Sequence, residues 1–431
     1  MRRFLRRVRR FPSPLPVIFI IAGTIAVILY GRGYRVDLKS NQIKPTGLLS
    51  ATSDPQGAQV YINGVLKTAT NNPLNIDPNW YDVRIVKEGY IPWEKRLRVQ
   101  GEVVTRSDAF LFPTSPSLSP LTNSGIEQPT LSPDGTKIAY TIPMQKIPNT
   151  GLPANKAGLW IYELVERPLG LNRDPRQLGI SEASFNFSTS TITWSPDSTQ
   201  LLVDNGRTIR LYNAQKGGDW QDMTATTVAS LKNVWEDLKL TKELQKLAAY
   251  KQEIVDIATS SARIISFSPD ESKFLYEATA SATLPQVIRP PLIGTNSTAE
   301  QRKIEPGKIY VYDSKEDKNY FLLDKKELPT PSTNPSPSTK KVSPFPNQLS
   351  INNYQLTIPL RWFPTSRHLV LTLPGKIDIM EYDRTNWVTV YSGPFVDGFI
   401  APWPGGSRII IMTNLNPGQS TLPNLYTVNL R

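Results

Sequence analysis

Leu131-Ser132-Pro133-Asp134-Gly135-Thr136-Lys137-Ile138-Ala139-Tyr140 decides the fold, because it is an apolar strand, a Pro-centred turn and a second apolar strand in ten residues. Pro fixes φ for the turn, Ser and Asp bond the local backbone, and the β-branched and aromatic flanks pair as a hairpin. Four further copies follow: Trp194-Ser195-Pro196-Asp197-Ser198, Phe267-Ser268-Pro269-Asp270-Glu271, Trp362-Phe363-Pro364-Thr365-Ser366 and Pro402-Trp403-Pro404-Gly405-Gly406. One such meander cannot bury its apolar faces alone. Repeated radially it becomes a propeller, in which neighbouring blades complete the core.

The repeats predict a mainly β fold with a five-bladed propeller over 115–431; six blades is the alternative count. Strands such as Lys308–Asp313 and Lys376–Asp383 fit third blade positions, and Asn319–Leu323 and Trp387–Tyr391 fit outer ones. The fifth copy ends at Arg431 without an outer strand. Closure therefore predicts that Ser115–Leu121 pairs with the Leu425 strand, which removes exposed edges. Two insertions interrupt the repeats. Residues 231–258 lack Gly and Pro and space Leu231, Val234, Trp235, Leu238, Leu244, Leu247, Ile254 and Ala258 as amphipathic helix, one bent or two short. Such a stripe packs on its own blade or docks a partner. Residues 329–346 are rich in Pro, Ser and Thr, a composition that predicts a disordered loop.

The chain begins with six arginines in residues 1–10, followed by an uncharged run of twenty-one residues over 11–31. A run of that length predicts a transmembrane helix, and the arginines place the N-terminus in the cytoplasm, with the bulk of the chain outside the cytoplasmic membrane. Cleavage after Thr24-Ile25-Ala26 as a signal peptide is the alternative. Net charge is +12, yet eight of the positive charges precede Asp37 and no acid does. What remains is an ordinary mixed surface, which argues against nucleic acid as a partner.

Residues 47–112 read as a small antiparallel β-sandwich, with Asn63-Gly64 as a hairpin turn and Gly89 available for positive φ. Asp54-Pro55-Gln56-Gly57-Ala58-Gln59-Val60-Tyr61-Ile62-Asn63-Gly64, with Tyr81-Asp82-Val83-Arg84-Ile85 and Lys87-Glu88-Gly89-Tyr90, resembles the PEGA domain. Gln56 stands where that family usually has Glu, and Asn79-Trp80 replaces its usual Pro-Gly. The resemblance implies a non-catalytic, extracytoplasmic accessory module. The Ser-Pro-Asp-Gly and Phe-Ser-Pro-Asp phrases resemble the WD40-like repeats of TolB-type propellers, strongly in three copies and weakly in two. Such propellers are mostly protein-binding platforms.

Candidate chemistry is sparse. There is no cysteine and one histidine, His368, on a strand after the fourth turn. That excludes thiolate nucleophiles and Cys-based metal sites and leaves little for imidazole catalysis. Asp134, Asp197 and Asp270 share a place in the repeat and read as turn residues on separate blades. Trp194, Trp362 and Trp403 read as equivalent inter-blade core positions, whereas Trp80 and Trp93 are candidates for stacking on glycans. No catalytic, cofactor or metal residue is assigned. The expected function is a non-catalytic binding or scaffold protein of the bacterial cell envelope, presenting both modules to a protein or cell-wall polymer. A glycan or peptide hydrolase or lyase using carboxylates of the propeller funnel is one alternative. A sensory ectodomain is another, with only residues 1–10 to carry a signal inward.

Overall fold

The computed structural model describes residues 15–31, 34–37, 42–144, 156–166, 174–328, 359–415 and 422–431. The expected basic tail, the start of the expected spanning helix and the 329–346 loop lie outside them.

Helix α1 runs over Leu15–Gly31, 17 residues. At 1.5 Å per residue it is ~25 Å long, against ~30 Å for a hydrocarbon core. No helix among the described residues is long and apolar enough to cross a membrane. The expectation of a spanning helix over 11–31 counted hydropathy alone. It ignored Pro12, Pro14 and Pro16, which lack the N–H of a helix interior and favour a start near Leu15.

The chain divides into two compact units. The smaller is a sandwich of a four-stranded sheet, in the order Val65–Ala69, Gln59–Ile62, Asn79–Val86, Trp93–Val99, and a three-stranded one, in the order Leu74–Ile76, Gly47–Asp54, Val104–Phe110. Asn63 and Gly64 both take positive φ (49° and 78°), as a two-residue hairpin demands, and Ile62 faces Val65. The expected wholly antiparallel arrangement is corrected in one place: Gly47–Asp54 and Val104–Phe110 are parallel. The chain crosses from one sheet to the other after Val99, so no hairpin fixes the direction of the last strand. Leu49, Ala51, Val60, Ile62, Val83, Ile85, Trp93, Leu97 and Val99 fill the core by strict alternation. Pro291–Thr298 belongs to this unit, where the Arg98 N–H donates to Ser297 Oγ (2.8 Å) at the Trp93–Val99 edge.

The larger unit holds five four-stranded antiparallel sheets among its described residues. Blade 1 is Glu127–Leu131, Lys137–Ile142, Gly158–Glu163 and Arg176–Ile180. Blade 2 is Thr191–Trp194, Gln200–Asp204, Ile209–Asn213 and Trp220–Met223. Blade 3 is Ala262–Phe267, Lys273–Ala278, Lys308–Asp313 and Lys318–Asp324, and blade 4 is Leu360–Trp362, His368–Leu373, Lys376–Glu381 and Val388–Ser392. Blade 5 contributes Ile400–Pro402, Arg408–Thr413 and Asn424–Asn429, and its outer strand is Leu118–Pro120 from before blade 1. Leu118 pairs with Val428, Ser119 with Thr427 and Pro120 with Tyr426, which is the expected closure.

Neighbouring blades share cores. Ala139, Leu159 and Ile161 of blade 1 pack with Trp194, Leu201, Val203 and Tyr212 of blade 2. Ile265, Leu275 and Val311 of blade 3 pack with Leu360, Trp362 and Leu369 of blade 4, and Ile138, Tyr140 and Tyr162 of blade 1 with Ala401, Trp403 and Leu425 of blade 5.

Blades 2 and 3 are joined differently. Helices α2 (Ala225–Leu247) and α3 (Gln252–Ser260) lie in the chain between them, starting six residues before the expected 231 because Thr224 and Thr227 form a capping box. Val228, Leu231 and Trp235 pack on Leu202, Ile209 and Leu211 of blade 2. Leu247, Tyr250, Ile254 and Ala258 pack on Ile264, Phe274, Tyr276 and Tyr312 of blade 3. The helical insertion therefore serves two blades rather than one.

Candidate binding surfaces

The five turns share a backbone: their fourth residues, Gly135, Ser198, Glu271, Ser366 and Gly406, all take positive φ, between 56° and 70°. In three of them the carboxylate closes the turn. Ser132 Oγ donates to Asp134 (2.5 Å), Ser195 Oγ to Asp197 (2.5 Å) and Ser268 Oγ to Asp270 (2.7 Å). The N–H groups of Thr136, Thr199 and Ser272 donate to the same carboxylates. Burial alone would raise these carboxyls, but the hydroxyl and backbone donors outweigh it and lower all three. Asp270 is lowered furthest, with Lys315 Nζ at 2.8 Å. The three acids are turn chemistry on separate blades.

The fourth residue also ties blades together. Ser198 Oγ accepts from the Asp134 N–H (3.1 Å), and Ser366 Oγ accepts from the Asp270 N–H (2.9 Å). At the seam of blades 2 and 3 the helices take over this task. Lys242 Nζ donates to the Pro196 carbonyl (3.1 Å), Lys246 pairs with Glu271 (3.1 Å) and Tyr250 OH donates to the Glu271 carbonyl (2.8 Å).

His368 is buried, with Nδ1 2.8 Å from Thr365 Oγ1 and its ring edge-on to Phe363 and Phe112. It is a core residue. Trp194 and Trp362 each donate Nε1 to an inner-strand carbonyl of the preceding blade, Thr130 (3.3 Å) and Ser266 (3.4 Å). Trp403 is not their equivalent, contrary to the sequence reading. It stands one residue before Pro404, where the other turns carry Ser or Phe, and its N–H bonds the Arg408 carbonyl as Ser195 bonds Gln200. Its indole fills the blade 5–blade 1 core, edge-on to Tyr162.

These Trp–carbonyl bonds link the first strands of blades 1 and 2 and of blades 3 and 4, and the first strands of a propeller line its central channel. Of the five, only the one over Glu127–Leu131 carries a carboxylate, Glu127. The paired acids that a funnel hydrolase requires are not on these strands. Among the described residues no group of three or more His, Asp or Glu is placed to hold a metal ion. A polar groove of about 440 Å³ beside the closure strand is lined by Ser117, Ser119, Ser407, Arg408, Asn429 and Arg431.

On the small domain the two tryptophan candidates part. Trp93 is buried and is no glycan platform. Trp80 is 42% exposed on the outward face of the four-stranded sheet. Register sets Trp80 against Arg98, Asp82 against Arg96 and Arg84 against Glu94. The Arg96 guanidinium lies 5.8 Å from the Trp80 ring centre and 3.8 Å from Asp82, and Arg84 pairs with Glu94 at 2.8 Å. Alternation could have separated the two: Trp93 shares parity with Leu97 and Val99, Trp80 with Asp82 and Arg84. Among the described residues the Val65–Ala69 edge of the same sheet has no strand on its outer side, and Val65 and Leu66 are exposed.

Residues 46–113 match the PEGA domain. No curated protein matches the chain. Among solved structures, a TolB from Agrobacterium tumefaciens is 14% identical, covering 68% of this chain and 70% of its own, with a TM-score of 0.21. A chain of the mitotic checkpoint complex (10% identity, 75% and 98% coverage, TM-score 0.29) and the Cps50 (Swd1) β-propeller domain of Myceliophteria thermophila (10%, 72% and 98%, 0.25) are similar in the same sense. At such scores the propeller rests on the strand order above rather than on these likenesses.

Proposed function

We propose that the protein is a non-catalytic binding or scaffold protein of the bacterial cell envelope, held at the cytoplasmic membrane by its N-terminal segment, with both modules on the outer side. The observation that carries the reading is the division of its polar groups. The repeated carboxylates are consumed by their own turns, whereas the exposed Trp80 ring and three guanidinium groups, two of them paired with Asp82 and Glu94, stand on one open sheet face of the PEGA domain. Such a face suits an envelope protein or an acidic or sugar-bearing cell-wall polymer.

Anchoring is supported by α1. Ile18, Phe19, Ile20 and Ile21 are all more than half exposed and, being consecutive, stand on every side of the helix, and six arginines precede it. Apolar surface of that extent needs cover. The experiment is retention of the detergent-solubilised full chain on membrane-free cell-wall polymer and envelope-protein fractions, comparing native protein with Trp80→Ala and Arg96→Ala. Loss of retention in both supports the reading; unchanged retention removes the face from it. Release of the full chain from membranes by alkaline carbonate would overturn the anchoring.

A further inference from the structure

Between the second and third strands of blade 3 the chain joins the smaller unit over Pro291–Thr298. This segment carries the most exposed large apolar side chain outside α1 among the described residues: Ile293 is 70% exposed, beside Leu292 at 46%. Its backbone is nonetheless fixed to the sandwich. The Gly294 N–H donates to Gln100 Oε1 (2.9 Å), and Ser297 Oγ accepts from the Arg98 N–H. Gly294 takes positive φ (72°) and lies so close to Val103 that an added Cβ would stand 2.4 Å from its Cγ1. Ser297 sits at Arg98 and Gly294 at Gln100, so the segment runs against the direction of the Trp93–Val99 strand. Ile293 and Leu292 therefore fall at the end of the sandwich that carries the 100–103 loop. Val104, which opens the next strand there, is 45% exposed.

The same end is the one tied to α1. Tyr34 stands three residues after Gly31, at most about 11 Å of extended chain, and its hydroxyl donates to Glu102 of the 100–103 loop (2.5 Å). Pro45 returns opposite Tyr34 in a short hairpin, and Gly47 then opens the first sandwich strand, where Leu48 pairs with Val104. One loop thus holds both the exit of the helix and the exposed Leu-Ile pair. We propose that this end of the PEGA domain rests on the outer leaflet of the bilayer, with Leu292 and Ile293 inserted at the boundary of headgroups and acyl chains. The proposal rests on the reading of α1 as the anchor. Given that anchor, the reach from Gly31 keeps the loop at the lipid surface, and lipid is the nearest apolar cover for two adjacent exposed aliphatic side chains.

The chain has no cysteine, so a single introduced thiol takes a nitrobenzoxadiazole label at one chosen place. Full-length Ile293→Cys, Leu292→Cys, Gln56→Cys and Ile25→Cys are labelled, reconstituted in phosphatidylcholine vesicles, and measured with and without doxyl-labelled phosphatidylcholine. Gln56 is exposed beyond the other end of the Gly47–Asp54 strand, about 25 Å from the 100–103 loop. The label at Ile293 or Leu292 is expected to shift to the blue on reconstitution and to lose about half its emission to the doxyl lipid, whereas the label at Gln56 keeps its aqueous spectrum. Far-UV circular dichroism verifies each fold. Quenching at Ile25 without quenching at Ile293 and Leu292 overturns the proposal and leaves the anchor standing. An Ile25 label that escapes quenching refutes the anchor, and the proposal falls with it. A blue shift at Ile293 that the doxyl lipid leaves untouched, and that disappears when the protein is diluted in lipid, means that a second copy of the chain covers the pair, which also overturns the proposal.

Discussion

Tyr250 tests whether the helices are structural parts of the propeller. Its ring lies within 5.1–6.3 Å of the Phe267, Phe274 and Tyr312 ring centres, and its hydroxyl donates to the Glu271 carbonyl in the blade 3 turn. Truncating a buried aromatic to Ala costs about 3–5 kcal/mol, the side chain's burial plus the cavity it leaves. Tyr250→Phe keeps the ring and strands one carbonyl, which costs about 1 kcal/mol. Leu244→Ala, on the exposed side of α2, should stay within about 0.5 kcal/mol of native. With an m-value of about 3 kcal/mol per M, a loss of about 4 kcal/mol lowers the urea midpoint of the propeller transition by about 1.3 M, and the Phe variant lowers it by about 0.3 M. The assay is equilibrium urea unfolding of the full chain followed by far-UV circular dichroism. If Tyr250→Ala unfolds at the Leu244→Ala midpoint, the helices are peripheral and the seam of blades 2 and 3 is held by other contacts.

Three further outcomes are expected. Leu425→Ala, at a fully buried position beside the closure strand, should cost about 2–5 kcal/mol in the same assay, whereas an unpaired C-terminal strand would tolerate it. Ser198→Ala and Ser366→Ala each delete an inter-blade acceptor and should cost about 1 kcal/mol, read from paired urea curves. The Asp270 carboxyl is depressed in the folded state, so its contribution is complete above the unfolded value of about 3.9 and is lost as pH falls from there through the lower folded value. Urea midpoints measured from pH 5 to pH 2 should fall less steeply in Asp270→Asn than in native protein.

The turns were legible because Pro, Ser and Asp carry their conformation in their chemistry, and closure was legible because a blade one strand short must borrow. Other features depended on partners that no local pattern names. The amphipathic stripe of α2 and α3 announces burial, but which blades cover it is set in three dimensions, and the Thr224 cap lies six residues before the stripe begins. Positive φ at Ser198, Glu271 and Ser366 was hidden because none of them is glycine. The Trp403 equivalence failed by a single residue of register, which a strand converts into the opposite face.

Closure through Leu118 and Val428 also imposes an order on biosynthesis. The borrowed strand leaves the ribosome some three hundred residues before its partner, so it waits through the making of every blade. Pairing at such sequence separation is slow, and until it forms both the early strand and the last sheet present open edges. The nascent chain is thus exposed to mispairing until Asn424–Asn429 emerges, and the ring gains its protection in that one late step.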